Sequence, residues 1–215
     1  MVNRQRGFTL IEIAIVLVII GLLLGGVLKG QELITGARVR NMISQQDGIK
    51  AAYFGFLDRY RALPGDYKEA STTIPNLSGT ECNSKNGTGN GQITTAGNEN
   101  NLVWEHLAKA QFINGAYTCA ATASTATSPT NPYGGLVDLQ YDALFYGGAA
   151  TGSRHNLKTG LSLPSDILAE IDRKVDDGNP RQGSFRAPAT EVAACSAATW
   201  VTADPGTNCE ATNLF

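Results

Sequence analysis

Proline and cysteine are both missing from the first 63 residues of this 215-residue chain. With no proline to break it, a helix can run from Phe8 to Ala62, where Pro64-Gly65-Asp66 supplies a strong stop. Charge is nearly missing from residues 8–28: of these 21 positions only Thr9 and Glu12 are polar, and only Glu12 ionises. Histidine is limited to His106 and His155, neither with a cysteine or acid at ligand spacing, so both are expected to be structural. No G-x-S-x-G elbow, H-E-x-x-H pair, phosphate-binding loop or activated Cys/His pair occurs, and an enzyme is not expected. An excess of cations is absent as well: the formal net charge is −2. Setting aside Arg4 and Arg6 leaves 15 basic against 19 acidic residues, or −4. That excludes a global basic footprint, so nucleic acid is not indicated as a partner. A local basic stretch remains in Arg38, Arg40, Lys50, Arg59 and Arg61.

What is present begins with the apolar run. It exceeds the about 18 residues that qualify a helix to span a membrane. Before it, residues 1–6 carry two cations and no acid, so the positive-inside bias puts the N-terminus in the cytoplasm and exports the rest in a single pass. A secretory signal peptide fits poorly, because the run is longer than an h-region of about 7–15 residues and no Ala-x-Ala-like site closes it. An ordinary one-span anchor leaves Glu12 to be explained: an acid at mid-membrane costs about 2.5–3.5 kcal/mol and asks for a partner, unless it lies near the headgroups and favours the helix N-terminus.

Gly7-Phe8-Thr9-Leu10-Ile11-Glu12, after a short basic leader and before an apolar helix, resembles the processing site of type IV pilins and type II secretion pseudopilins. The resemblance implies a leader of residues 1–7, a prepilin peptidase that cuts between Gly7 and Phe8, and N-methylation of Phe8. It also implies that Glu12 of one subunit meets the terminal amine of a neighbour and sets the register of a filament. Physically the pairing is sensible, since a cation and a carboxylate attract far more strongly in a low-dielectric medium than in water. The implied partners are the prepilin peptidase, other pilin or pseudopilin subunits and an inner-membrane assembly platform. The implied location is the bacterial inner membrane, with the C-terminal domain periplasmic, and then a pilus or pseudopilus.

Beyond the membrane run, Val39, Met42, Ile43, Ile49, Tyr53, Phe56, Leu57 and Tyr60 recur at helical spacing among polar residues. Residues 29–63 therefore read as the amphipathic half of the same helix. From Phe8 to Ala62 it would reach about 80 Å. Gly21, Gly25, Gly26, Gly30 and Gly36 each cost about 1 kcal/mol against alanine and make 21–36 its soft part. Small residues also allow close helix approach in an apolar medium. Many major subunits of the resembled family carry a proline where this chain has Lys29. The departure points to a minor or atypical subunit.

Residues 64–215 are expected to form one exported domain of the α+β class, a small antiparallel sheet packed on the long helix. The four cysteines, Cys82, Cys119, Cys195 and Cys209, fall on the exported side, where disulfides are the natural reading and close Cys-x-x-Cys spacing for a metal is lacking. Three connectivities are possible. The sequential one, Cys82–Cys119 and Cys195–Cys209, is favoured because it needs only local loop closure, worth about 3 kcal/mol for the second loop. Residues 78–101 show no apolar period and read as a long surface loop. Asn76 and Asn86 open chance-level glycosylation tripeptides.

A short helix is expected around Leu102, Val103, Leu107, Ala110 and Phe112, with Trp104 alongside, ending near Asn114-Gly115. Trp104-Glu105-His106-Leu107 with Gly115 also resembles a segment of some proteobacterial pilin-like proteins. Strands are expected over 136–141, 143–146, 156–163 and 183–187, with loop over 120–132. Pro164-Ser165 opens a second helix with Ser165 as N-cap and Ile167, Leu168, Ile171 and Val175 on one face. It ends in an acidic turn, where Asp172, Asp176, Asp177 and Asn179 offer hard oxygen ligands for calcium, although a helix C-cap with Gly178 left-handed explains the same residues. The cysteine-closed C-terminal loop resembles the variable outer surface of type IV pilins. Trp200 and Val201 within it read as packed residues before contact residues.

The functional expectation is a structural, filament-forming subunit with no required cofactor. A filament-tip binding module, an adhesin or a DNA receptor, is the alternative.

Overall fold

The computed structural model describes residues 9–190 and 193–215; Gly7 and Phe8, the expected cleavage and methylation positions, lie outside the described residues. Helix α1 spans Leu10–Tyr60, 51 residues without a break. The chain divides into two compact units, Met1–Arg38 and Val39–Phe215. In the first, described from Thr9, α1 leaves its side chains uncovered: Leu22 is 73% and Leu28 67% exposed. Among the described residues α1 is the helix long and apolar enough to cross a membrane. Its apolar side chains and its length suit an inner-membrane anchor.

In the second unit the remainder of α1 turns one face inward. Val39, Met42, Gln46, Ile49, Ala52, Tyr53 and Phe56 are buried, at the spacing of a single helical face. Two apolar clusters meet that face. Ile49, Tyr53 and Phe56 share a cluster with Trp104, Leu107, Leu139 and Leu157. Val39 and Met42 share another with Leu163, Leu168, Ile171, Phe185 and Trp200.

The other helices are α2 (Ala70–Thr73), α3 (Glu81–Ser84), α4 (Glu99–Lys109), α5 (Gly148–Thr151) and α6 (Ser165–Val175). The strands are β1 (Asp138–Asp142), β2 (Arg154–Lys158), β3 (Phe185–Arg186) and β4 (Thr212–Leu214), in the order β1-β2-β4-β3. Every pairing is antiparallel, with Leu139 opposite Leu157, Asn156 opposite Leu214 and Phe185 opposite Asn213. The last strand of the chain thus lies inside the sheet. The class is α+β and pilin-like: a long N-terminal apolar helix, a small antiparallel sheet and two disulfides. The disulfides join Cys82 to Cys119 and Cys195 to Cys209.

Several expectations need correction. Residues 143–146 do not extend the sheet: Phe145 makes a lone bridge to Pro188, and α5 follows. The strand expected over 156–163 begins at Arg154 and stops at Lys158, ahead of Gly160, whose φ is +79°. Ser165 is not the N-cap. Pro164 holds that position in an extended conformation, and the Ser165 hydroxyl instead donates to the Val201 carbonyl at 2.6 Å.

Most consequential is the stretch 78–101, which is no mere surface loop. It contains α3, a short 3-10 turn and the start of α4, and it buries Lys85, Glu99 and Asn101. Carboxylates hold it alongside the buried Ile93 and the Cys82–Cys119 disulfide. Asp66 accepts the Gly89 and Asn90 N–H groups and the Thr88 hydroxyl on Oδ1, and the Gly91 N–H on Oδ2. Glu99 accepts the Thr88 and Thr94 N–H groups at 2.8 and 3.1 Å. Lys85 Nζ stands 2.9 Å from Glu105 Oε2, which also accepts the Cys119 N–H at 2.7 Å.

His106 is structural. Its Nδ1 accepts the Gly65 N–H at 3.0 Å, which leaves Nε2–H to donate to the Lys85 carbonyl at 2.9 Å. Burial pushes its pKa down to about 4, so the ring is neutral at physiological pH.

Removing the cation of the buried pair strands a charge. Lys85→Met is expected to destabilise the protein by about 3–5 kcal/mol, and Lys85→Met with Glu105→Gln to recover much of it, because glutamine still accepts the Cys119 N–H without carrying a charge. Urea titration of the purified protein measures both. Equal losses in the single and double variants would show that the charge is not the cause.

Candidate functional site

Among the described residues, the N-terminal end of α1 and the C-terminal end of α6 combine polar chemistry with a defined geometry. At the first, Thr9 precedes the helix and Glu12 sits in its first turn. The Thr9 N–H and hydroxyl both donate to Glu12 Oε2, at 2.7 and 2.8 Å, and the Glu12 N–H donates back to Thr9 Oγ1 at 3.3 Å. This reciprocal arrangement is a capping box. It satisfies donors that a helix N-terminus leaves open, which matters most where water is scarce. Among the described residues only Oε2 of Glu12 is engaged. The role of Thr9 was missed in reading the sequence, although Thr-x-x-Glu ahead of an apolar run is its signal.

Residues 2–28 match the family model of the prokaryotic N-terminal methylation motif. The N-terminal segment is a prepilin segment of the type IV pilin and pseudopilin kind. That match supports a prepilin-processed subunit of this kind, with prepilin peptidase processing and assembly with other pilins as its general setting, and a structural rather than enzymatic part. No curated protein and no solved structure shows a significant match to the chain.

At the second place, Asp172 in the last turn of α6, Asp176 at its C-cap and Asp177 bring carboxylate oxygens within 4.8 Å of one another. Each acid has a structural partner. Asp172 Oδ2 accepts the Trp200 indole N–H at 2.7 Å. Asp176 Oδ2 accepts the N–H groups of Ser184 and Phe185, which ties the end of α6 to β3. Asp177 Oδ1 accepts the Asn179 N–H at 2.8 Å, and Asn179 Oδ1 accepts the Arg181 N–H at 3.0 Å. Asp172 Oδ1 is buried, and among the described residues the donor facing the carboxylate besides the Trp200 indole is the Gly178 backbone N–H. Burial raises the Asp172 pKa to about 6, with the Trp200 indole and the Gly178 backbone N–H opposing through hydrogen bonds and the charges of Asp177 and Asp176 adding to the rise. Gly178 is left-handed, at φ +78°, as a C-terminal turn requires. Three clustered carboxylates, the first of them buried, offer the hard oxygen ligands that a cation such as calcium takes.

The remaining residues singled out from the sequence do not form a third site. Trp200 is packed against Phe185 and is 5% exposed. His155 lies half-buried between Tyr53 and Tyr141, and burial lowers its pKa. Three cations of the basic stretch have partners. Lys50 reaches Asn213 and the Phe215 ring, Arg59 lies over Tyr60, and Arg61 pairs with Asp58 at 3.5 Å.

Because the folded state holds its Asp172 proton to a higher pH than the unfolded chain does, this group costs stability progressively as pH rises from about 4 to about 6. Asp172→Asn keeps an acceptor for Trp200 and removes the titration. With divalent cations chelated, it is expected to be more stable than the parent by about 1–3 kcal/mol at pH 7, the gap closing towards pH 4. Melting curves across that range test it; a gap independent of pH would refute the assignment.

Proposed function

We propose that this chain is a minor or atypical subunit of a type IV pilus or a type II secretion pseudopilus. It enters the inner membrane with residues 1–7 in the cytoplasm and residues 64–215 in the periplasm. Prepilin peptidase cuts between Gly7 and Phe8 and methylates Phe8. An inner-membrane assembly platform then draws the mature chain into a filament whose core is built from residues 8–28 and the amphipathic half, 29–63. The observation that carries the reading is the methylation motif over residues 2–28, set on a helix whose apolar side chains are exposed. The atypical role is supported at Lys29, where many major subunits have proline: α1 runs through the position, and Lys29 Nζ stands 2.6 Å from Glu32 Oε2.

Glu12 has two duties in this reading. Before assembly its carboxylate caps its own helix through Thr9. In the filament, the oxygen outside the capping box receives the Phe8 amine of a neighbour, and the pairing sets the axial register. A filament-tip adhesin or DNA receptor asks for an exposed cationic or aromatic cluster, whereas Lys50, Arg59 and Arg61 already have partners. We further assign calcium to Asp172, Asp176 and Asp177, with Asn179 beside them, where the ion would neutralise the clustered charge and join α6 to β3.

Mass spectrometry of sheared filaments and of membranes from the native cells tests the function. Methylated Phe8 at the N-terminus is expected, with the processed chain mostly in the envelope or as a trace in the sheared fraction. Abundance in sheared filaments would make it a principal pilus subunit, and an uncut chain would defeat the reading. Glu12→Ala is expected to be cleaved normally yet scarcely incorporated.

Calcium is tested separately, by melting the purified protein with and without the ion. A rise in melting temperature in the parent that is lost in Asp172→Asn supports the site, and no rise removes it.

A further inference from the structure

Three asparagine-glycine steps occur in the chain: Asn86-Gly87, Asn90-Gly91 and Asn114-Gly115. Such steps are chemically fragile. Once its proton is taken by hydroxide, the glycine amide nitrogen can attack the asparagine Cγ. The C–N bond to the side-chain nitrogen breaks, ammonia leaves, and a succinimide ring remains. Water then opens either carbonyl of the ring, giving aspartate or its β-linked isomer. The net change is addition of one water and loss of one ammonia, with no oxidant or cofactor. Glycine permits the reaction because no Cβ obstructs the approach.

The fold treats the three steps differently. At Asn86-Gly87 the glycine N–H donates to the Tyr67 carbonyl at 2.9 Å, and the Asn86 side-chain oxygen accepts the Ser71 N–H at 2.9 Å. Both reacting partners are held. At Asn90-Gly91 the glycine N–H donates to Asp66 Oδ2 at 2.7 Å, while Asn90 Oδ1 accepts the Gln92 N–H at 2.8 Å. There the carboxylate both shields the proton and repels the amide anion that the reaction needs. Exposure does not separate the cases, since Asn90 and Gly91 are themselves exposed.

Asn114-Gly115 has neither restraint. Both residues are exposed, and among the described residues neither the Asn114 side chain nor the Gly115 N–H makes a hydrogen bond. The step follows the end of α4 and lies in a run without regular structure. Gly115 has φ +136°, a region that glycine alone enters easily.

We infer that Asn114 is a site of spontaneous deamidation in the folded protein, and that Asn86 and Asn90 are protected by the Asp66-centred and Tyr67 hydrogen bonds. The consequence is local. Asn114 lines a groove of about 390 Å³ with Gln45, Ile49, Phe112, Tyr117 and Pro129. Reaction places a carboxylate on the rim of an otherwise uncharged groove. In the β-linked product it also lengthens the backbone by one methylene just after α4. Ageing subunits would thus differ from new ones in the charge of this face, whatever assembly they serve.

The test is an incubation of the full-length purified protein in detergent micelles at neutral and mildly alkaline pH, with peptide mass mapping over time. A parallel incubation in concentrated denaturant is the control. In the folded protein, Asn114 is expected to convert at least about tenfold faster than Asn86 or Asn90, and faster as pH rises. In denaturant all three are expected to convert at similar rates. Similar rates in the folded protein would overturn the inference, as would a folded Asn114 that stays intact. So would an Asn114 that remains the fastest by the same factor after unfolding, because sequence and not fold would then be the cause.

Discussion

The buried face of α1 from Val39 to Phe56 is the constraint on which the second unit depends. Both apolar clusters include residues of that face, one through Ile49, Tyr53 and Phe56 and the other through Val39 and Met42. The sheet therefore has no free choice of partner. Leu139 and Leu157, opposite one another on β1 and β2, share the cluster of Phe56, while Phe185 of β3 shares that of Met42. A helix interrupted between those positions would supply two faces of unrelated orientation. The absence of proline up to Leu63 is what keeps the face continuous.

Where apolar residues run short, carboxylates take over. Asp66, Glu99 and Glu105 accept backbone N–H groups from segments without regular structure, and Asp176 accepts those of Ser184 and Phe185 where β3 begins. An ionised acid makes stronger hydrogen bonds than a neutral acceptor, so one carboxylate can order several residues of loop. Glu12 uses the same chemistry on the Thr9 N–H at the start of α1. In the second unit the arrangement specifies a shape; at the head of α1 it satisfies the terminus of a long apolar helix.

Much of this was legible. The run of apolar residues after Arg6, the period of Val39, Met42, Ile49, Tyr53 and Phe56, and the stop at Pro64-Gly65 all announce α1, because helices and their ends are governed by neighbours in sequence. The helical character of Trp104 to Leu107, the opening of α6 after Pro164 and the tight acidic turn behind it were visible for the same reason. The stretch 78–101 was not. Its order rests on Asp66 and Glu105 from outside the stretch and Glu99 within it, and buried polar contacts leave no periodicity to read. Ser165 looked like a cap because caps are local, yet its hydroxyl found the Val201 carbonyl 36 residues away.

The sequence by itself determined that residues 2–28 form a prepilin segment, that a long helix runs on from it, and that the four cysteines are paired among themselves. Each of these depends on composition or on spacing along the chain. Only the tertiary structure decided that β4 enters the sheet between β2 and β3, that Lys85 is buried against Glu105, and that Asp172 lies buried in a carboxylate cluster under the Trp200 indole. These join residues remote in sequence, and their energies come from burial and from low-dielectric electrostatics, which exist only once the chain has closed on itself.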